Sequence, residues 1–349
     1  MKNNIINKGE IMNKFTKVGV SALAGSLASF AAANAVEMSA AGSAKITYIG
    51  NDSTEVTGNP MGMNTSISFS GSGEVNGYAT SLVVTAADQF GGMSSASLSV
   101  DLGDMGKVTF DQGVGVGGLS TIDDKTPTAA EEVWDGLDAV VGAKDGRVGM
   151  GNSGVIVYEN TYSGVKFSGQ FAKGAPTANT DDSTGGSYSG ASYDFALTAT
   201  GDEYGVDGLA FGGGYGKLAN GSQTLAADSD TDMHATAFVN YTVGMVTAGI
   251  QQSTIQRGIA ASLDEKTQAW GLSANINDNL SISYGERETT YHRPTEVSGN
   301  TVTEDIDGMA IAYTMGSAKV TVQQNETSNN GGVALADDKA TQVALSLSF

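Results

Sequence analysis

Apolar side chains recur at every second position along most of this chain. Ile46 and Tyr48, Ile67 and Phe69, Leu98 and Val100, Val108 and Phe110, and Val165, Phe167 and Phe171 are spaced by two or four. So are Leu280, Ile282 and Tyr284, and Val343, Leu345, Leu347 and Phe349. The residues between them are mostly Ser, Thr, Lys, Gln, Gly or Ala. Side chains of a strand point alternately to opposite faces, so each segment reads as a strand with one apolar and one small or polar face. No amphipathic helical period persists for more than about ten residues. The pattern predicts strands at 37–49, 65–72, 77–87, 94–102, 106–112, 154–161, 165–172, 189–200, 208–217, 232–242, 245–252, 267–276, 279–289, 307–314, 318–325 and 339–349.

The connections between these strands alternate in length. Short ones include Gly103 to Met105, Tyr162 to Gly164, Val243 and Gly244, Asn277 and Asp278, and Met315 to Ser317. Long ones are 50–64, 113–153, 173–188, 218–231, 253–266, 290–306 and 326–338, with 88–93 the one brief member of this set. The short turns hold Gly, Asn, Asp or Ser, as tight hairpins require. A soluble sandwich has no reason to sort its loops this way. A membrane barrel does, with short turns at one rim, long loops at the other, and strands apolar outside and polar inside. The expected fold is therefore all-β, a transmembrane antiparallel β-barrel of about sixteen strands.

The front of the chain supports export. Lys14 and Lys17 form a basic region, Val18 to Phe30 is uncharged and mostly apolar, and Ala33 to Ala35 fits a small-x-small cleavage site. Residues 1–35 are read as a signal peptide and 36–349 as the barrel domain. No later stretch approaches the roughly 18 consecutive apolar residues of a spanning helix. Only helices and closed barrels satisfy their backbone in lipid. The net charge of −20 repels phosphates and argues against nucleic acid as a partner. The chain has no Cys, so disulfides, thiolate metal sites and a Cys nucleophile are excluded.

Together the leader, the strand and loop rhythm, the terminal Phe349 and the long insertion 113–153 resemble the general porins of Gram-negative bacteria, in the style of the alphaproteobacterial members. The resemblance spans the mature chain at the level of pattern. It implies a homotrimer of sixteen-stranded barrels in the outer membrane, each a water-filled pore for passive diffusion of small polar solutes. It implies that the third external loop, here 113–153, folds into the pore and narrows it. That loop carries Asp123, Asp124, Glu131, Glu132, Asp135, Asp138 and Asp145, and Ala129 to Val141 could form a short helix within it. Family porins set basic side chains on the wall opposite. Period-two parity puts Lys45, Lys107, Lys166, Arg287 and Lys319 on the polar face. The chain departs from the family in holding only four Arg, so a weak cation preference is expected. A final strand ending in Phe349 resembles the signal read by the barrel-assembly machinery, and outer-membrane lipid is the expected surrounding.

Other motifs carry less. Gly113 to Gly118 formally matches G-x-G-x-x-G but opens no helix, and Asp123 and Asp124 would repel phosphate. Asp228, Asp230 and Asp232 resemble the start of a Ca²⁺ loop, yet Met233 stands where Gly is needed and Val239 where Glu is needed. His234 and His292 lack metal-ligand spacing. No cofactor, metal site or enzymatic activity is expected. Two rival readings remain, a soluble secreted β-protein such as an adhesin or surface-layer subunit, and an outer-membrane barrel enzyme. Trp270 and the strand tyrosines could form interfacial girdles.

Overall fold

The computed structural model describes residues 37–51, 59–87, 94–137, 153–173, 191–219, 231–258, 263–292 and 302–349. The leader expected at 1–35 lies outside the described residues. The chain forms β1 (Glu37–Asn51), β2 (Met61–Val75), β3 (Tyr78–Ala87), β4 (Ser95–Asp101), β5 (Lys107–Gln112), β6 (Ser153–Tyr162), β7 (Val165–Lys173) and β8 (Ala191–Thr200). It continues with β9 (Leu209–Ala219), β10 (Thr231–Val243), β11 (Val246–Gln256), β12 (Asp264–Asn275), β13 (Leu280–His292), β14 (Glu304–Met315), β15 (Ala318–Ser328) and β16 (Asp338–Ser348). Every strand pairs antiparallel with its sequence neighbours, and β1 pairs with β16, so the sheet is a closed barrel with no free edge.

Local chemistry sets the turns. Asn76 and Gly77 both have positive φ, 53° and 87°, as do Ser163 and Gly164 at 49° and 78°. Two such residues in succession make a two-residue turn whose twist matches the flanking strands. The short-turn rim also holds Gly244 and Gly316. Several strands run further toward the opposite rim than the apolar alternation predicts. β11 reaches Gln256, β12 begins at Asp264, β13 reaches His292 and β14 begins at Glu304. These extensions are polar. Part of them is held by Arg257, which bridges Asp232 at 3.1 Å and Glu265 at 2.5 Å.

The two faces of the wall differ as the alternation requires. Tyr48, Phe69, Leu98, Phe110, Ile250, Ile311 and Val343 are exposed. The neighbouring Thr109, Gln251, Ala312 and Gln342 are buried. An apolar outer face exposed over the circumference is what hydrocarbon would cover. The polar residues line the inside.

The ladder of β1 on β16, from Ser43 opposite Ser348 to Asn51 opposite Ala340, closes the barrel, and Phe349 extends it. The backbone N–H of Phe349 donates to Gly42 O at 2.9 Å, and Gly42 N–H donates to Phe349 O at 2.7 Å. A Cβ added at Gly42 would lie 2.4 Å from the Phe349 ring, so the ring sits against bare backbone. This is the place the structure gives the residue read as an assembly signal.

Candidate functional site: the lumen and the segment that lines it

Residues 113–137 leave β5 and run along the inner wall. Asp111 starts the segment, accepting bonds from Val114, Gly115 and Val116 N–H at 2.8–3.1 Å. Gly118 N–H then donates to Ser168 Oγ on β7, and Leu119 N–H to Asp194 Oδ1 on β8. Gln251 on β11 donates to the carbonyls of Ile122 and Asp123, both at 2.9 Å, and accepts from Lys125 N–H. Ala129 N–H donates to Ser283 on β13. Asn325 on β15 donates to Asp135 O at 2.7 Å. At the far side Lys45 Nζ on β1 meets Glu131 Oε1 at 2.7 Å. The wall thus supplies the polar partners that a buried loop backbone needs.

Apolar contacts pin the same segment. Leu119 and Ile122 are buried with Ala196 of β8 and Phe238 of β10. Leu137 is buried with Ile306 and Ala340, beside Ile49, Val133 and Trp134. Val116 packs on Val155, Val157 and Ala172. Burying a side chain of this size stabilises by about 1.5–3 kcal/mol.

The seat is cut by glycine. Gly249, Gly271, Gly285 and Gly308 stand opposite one another in register across β11 to β14. A Cβ at Gly249 would lie 2.6 Å from Pro127, and one at Gly271 would lie 2.6 Å from the Pro127 carbonyl oxygen. At Gly285 and Gly308 the same atom would come within 3.2 and 3.1 Å of Val133. Four strands therefore give up their side chains at one level to form a furrow for residues 127–133. The helix expected from Ala129 does not form over the described part. Residues 133–136 are turns, Gly136 has φ of 81°, and Asn325 takes the Asp135 carbonyl.

Charges in the lumen are arranged unevenly. Asp124 and Glu132 each have a carboxyl pushed above the usual range, chiefly because burial disfavours the charged form. Asp123 and Asp124 border a pocket with Trp134 and Arg287. Arg287 is only 2% exposed, and its guanidinium lies 5.1 Å from the Trp134 ring centroid. Asp138 and Asp145 lie outside the described residues.

The five basic residues placed on the polar face by parity do not gather into one cluster. Lys45 reaches Glu131 of the segment. Lys107 and Lys166 both hold Glu159, each at 2.7 Å, next to the short turns. Arg287 is covered by Trp134. Lys319 is half-buried beside the turn at 316–317. Sequence reasoning missed the glycine furrow and the inward apolar anchors Val157, Phe238 and Ile306. The visible signal was successive apolar residues, Val155 to Val157, Phe238 with Val239, that break the alternation.

No protein-family model matches the chain, and no curated protein matches it. Solved structures do. OmpT, an outer membrane protein of Vibrio cholerae in a trimer form, is 12% identical with a TM-score of 0.60, over 90% of this chain and 100% of that one. Salmonella typhi OmpF, in complex with daunomycin, is 12% identical with a TM-score of 0.62, over 89% and 97%. A variant of the Rh. blastica porin is 14% identical with a TM-score of 0.55, over 90% and 100%. The fold is that of the sixteen-stranded porin barrels. At these identities the likeness establishes the architecture.

Proposed function

We propose that this protein is an outer-membrane porin that lets small hydrophilic solutes and ions diffuse passively through a water-filled lumen. The observation that carries the reading is the segment 113–137 fastened to the inner wall from β6 round to β1, which narrows the lumen. Asp123, Asp124, Glu131, Glu132 and Asp135 form the acidic side of the constriction, with Asp138 and Asp145 completing the loop. Lys45, Lys107, Lys166, Arg287 and Lys319 are the basic wall residues. Because Glu131 and Glu159 already engage three of these bases, the remaining carboxylates set a weak cation preference. The trimer form of the Vibrio cholerae structure supports a homotrimer. Phe349 is the assembly signal, and the leader at 1–35 directs export.

The test is single-channel recording of refolded protein in planar bilayers under a salt gradient. The expected result is stepwise conductance, in threes, with a reversal potential favouring the cation. A reversal potential favouring chloride rejects the selectivity. A silent, correctly folded barrel rejects diffusion and returns the reading to a plugged barrel or an enzyme.

A further inference from the structure

At the level of the segment the inner wall is sealed on one side and open on the other. On β10 to β13 the inward polar residues above the segment's seat are shut off from solvent, with Thr236 4% exposed, Ser253 2%, Thr267 3% and Thr289 0%, while nearer the short turns Thr242 is exposed and Thr247, Ser273 and Ser281 are half-buried. Beneath Trp134 the gap bordered by Asp123, Asp124, Gln251 and Arg287 holds about 10 Å³, room for roughly one water. The inward residues of β1 and β2 are different. Ser39, Ser43 and Ser72 are exposed, and Ser66, Ser68 and Ser70 are half-buried. Two larger cavities open against this side. One of about 470 Å³ is bordered by Ser72, Ser81 and Ser99, with Glu37, Glu74, Asp101 and Lys107. The other, of about 500 Å³, is bordered by Ser43, Ser66, Ser68, Ser317 and Ser348.

The chemistry of the open side is uniform. Its hydroxyls pair across strands, Ser39 with Ser70 at 2.6 Å, Ser68 with Thr85 at 2.8 Å and Ser99 with Thr109 at 2.8 Å. A hydroxyl is one donor and two acceptors, so a paired hydroxyl still offers bonds to a passing molecule. It carries no charge and can match the donors and acceptors of another hydroxyl. Glu37, Glu74 and Asp101 beside the first cavity oppose anions, and Lys107 there is already held by Glu159.

We infer that the solute route is the hydroxyl-lined corridor along β1 to β4, and that Ser43, Ser68 and Ser99 are specificity-determining residues for uncharged, hydroxyl-bearing solutes of the sugar and polyol class. This rests on the pore reading above and names which solutes that pore takes. The corridor passes a neutral pentose faster than the carboxylate of equal size, because the hydroxyls replace part of its hydration while the carboxylates repel the anion.

Two measurements test it. The chain has no Cys, so Ser68→Cys and Ser99→Cys each create a unique thiol of similar volume. A bulky, uncharged methanethiosulfonate reagent should lower the conductance of both variants and leave Thr236→Cys and Ser253→Cys unaffected. In vesicles holding the unaltered protein, arabinose should permeate faster than arabinonate by about threefold or more. A block at Thr236→Cys or Ser253→Cys with none at the serine positions overturns the route. Equal or faster passage of arabinonate overturns the solute class. In either case a conducting channel leaves the porin reading standing, whereas a silent channel from folded, unaltered protein removes both. Should a cysteine variant fail to fold, the arabinose-to-arabinonate ratio of the unaltered protein still decides the solute class.

Discussion

At the scale of single residues, the carboxyls of Asp124 and Glu132 respond to pH before their exposed counterparts. Burial raises both, so the folded state binds protons more tightly than the unfolded chain. Their charged forms cost stability at neutral pH, and that cost is relieved as the pH falls through the raised values. Cation preference should therefore begin to fall at a higher pH than exposed carboxylates alone would give. Reversal potentials measured against pH check this, and Asp124→Asn with Glu132→Gln should remove the early part of the curve. An unchanged curve in the double variant would show that other groups set the field. Trp134 answers a separate question at the same scale. A desolvated cation–π contact is worth about 2 kcal/mol, and Trp134 also packs beside Leu137 and Ile306. Trp134→Ala should leave the barrel folded and make single-channel current noisier, because the segment loses its cover over Arg287.

At the scale of elements, the glycine furrow predicts more than any one contact. Gly271→Val puts a branched side chain where the Pro127 carbonyl oxygen now lies 2.6 Å from a bare Cβ position. Backbone cannot give way as a flexible side chain can, so residues 127–133 must lift off β11 to β14. The overpacking costs about 1–3 kcal/mol and should lower conductance, because the lifted segment moves into the open side of the lumen, while Gly50→Val, whose Cβ position meets nothing nearer than 3.9 Å, should not. Equal conductance in both would mean the furrow does not seat the segment. The strands themselves were legible in the sequence because a wall facing lipid on one side and water on the other imposes period two on every stave. Ile46 with Tyr48 and Val343 with Leu345 carry that signal directly. The strand ends near Glu265 and Glu304 were not legible, since their order comes from cross-strand polar pairing such as Arg257 with Glu265, which leaves no periodic trace. Nor was the seating of the segment. Glycines 22, 14 and 23 residues apart look like unrelated weak points until register aligns Gly249, Gly271, Gly285 and Gly308. Parity assigns each basic residue a face but says nothing about height along the barrel, which is what separates Lys107 and Lys166 from Lys45.

At the scale of the whole molecule, the barrel is one cooperative ring, and its last bond is made at Phe349. The terminal residue exchanges two backbone hydrogen bonds with Gly42, and its ring lies where any side chain at position 42 would stand. An open barrel leaves two long edges unpaired in hydrocarbon, at several kcal/mol for each unsatisfied group, so closure and stability are the same event. Gly42→Val should displace the ring, weaken those two bonds and lower the yield of closed barrel, while Gly42→Ala should do so less. Deleting Phe349 removes both the ring and the bonds and should lower the yield further. The readout is the fraction of protein that keeps its compact mobility in cold detergent and loses it on boiling. If Gly42→Val closes as completely as the unaltered chain, the ring has another resting place, and Phe349 acts through its recognition during assembly and contributes little to closure itself.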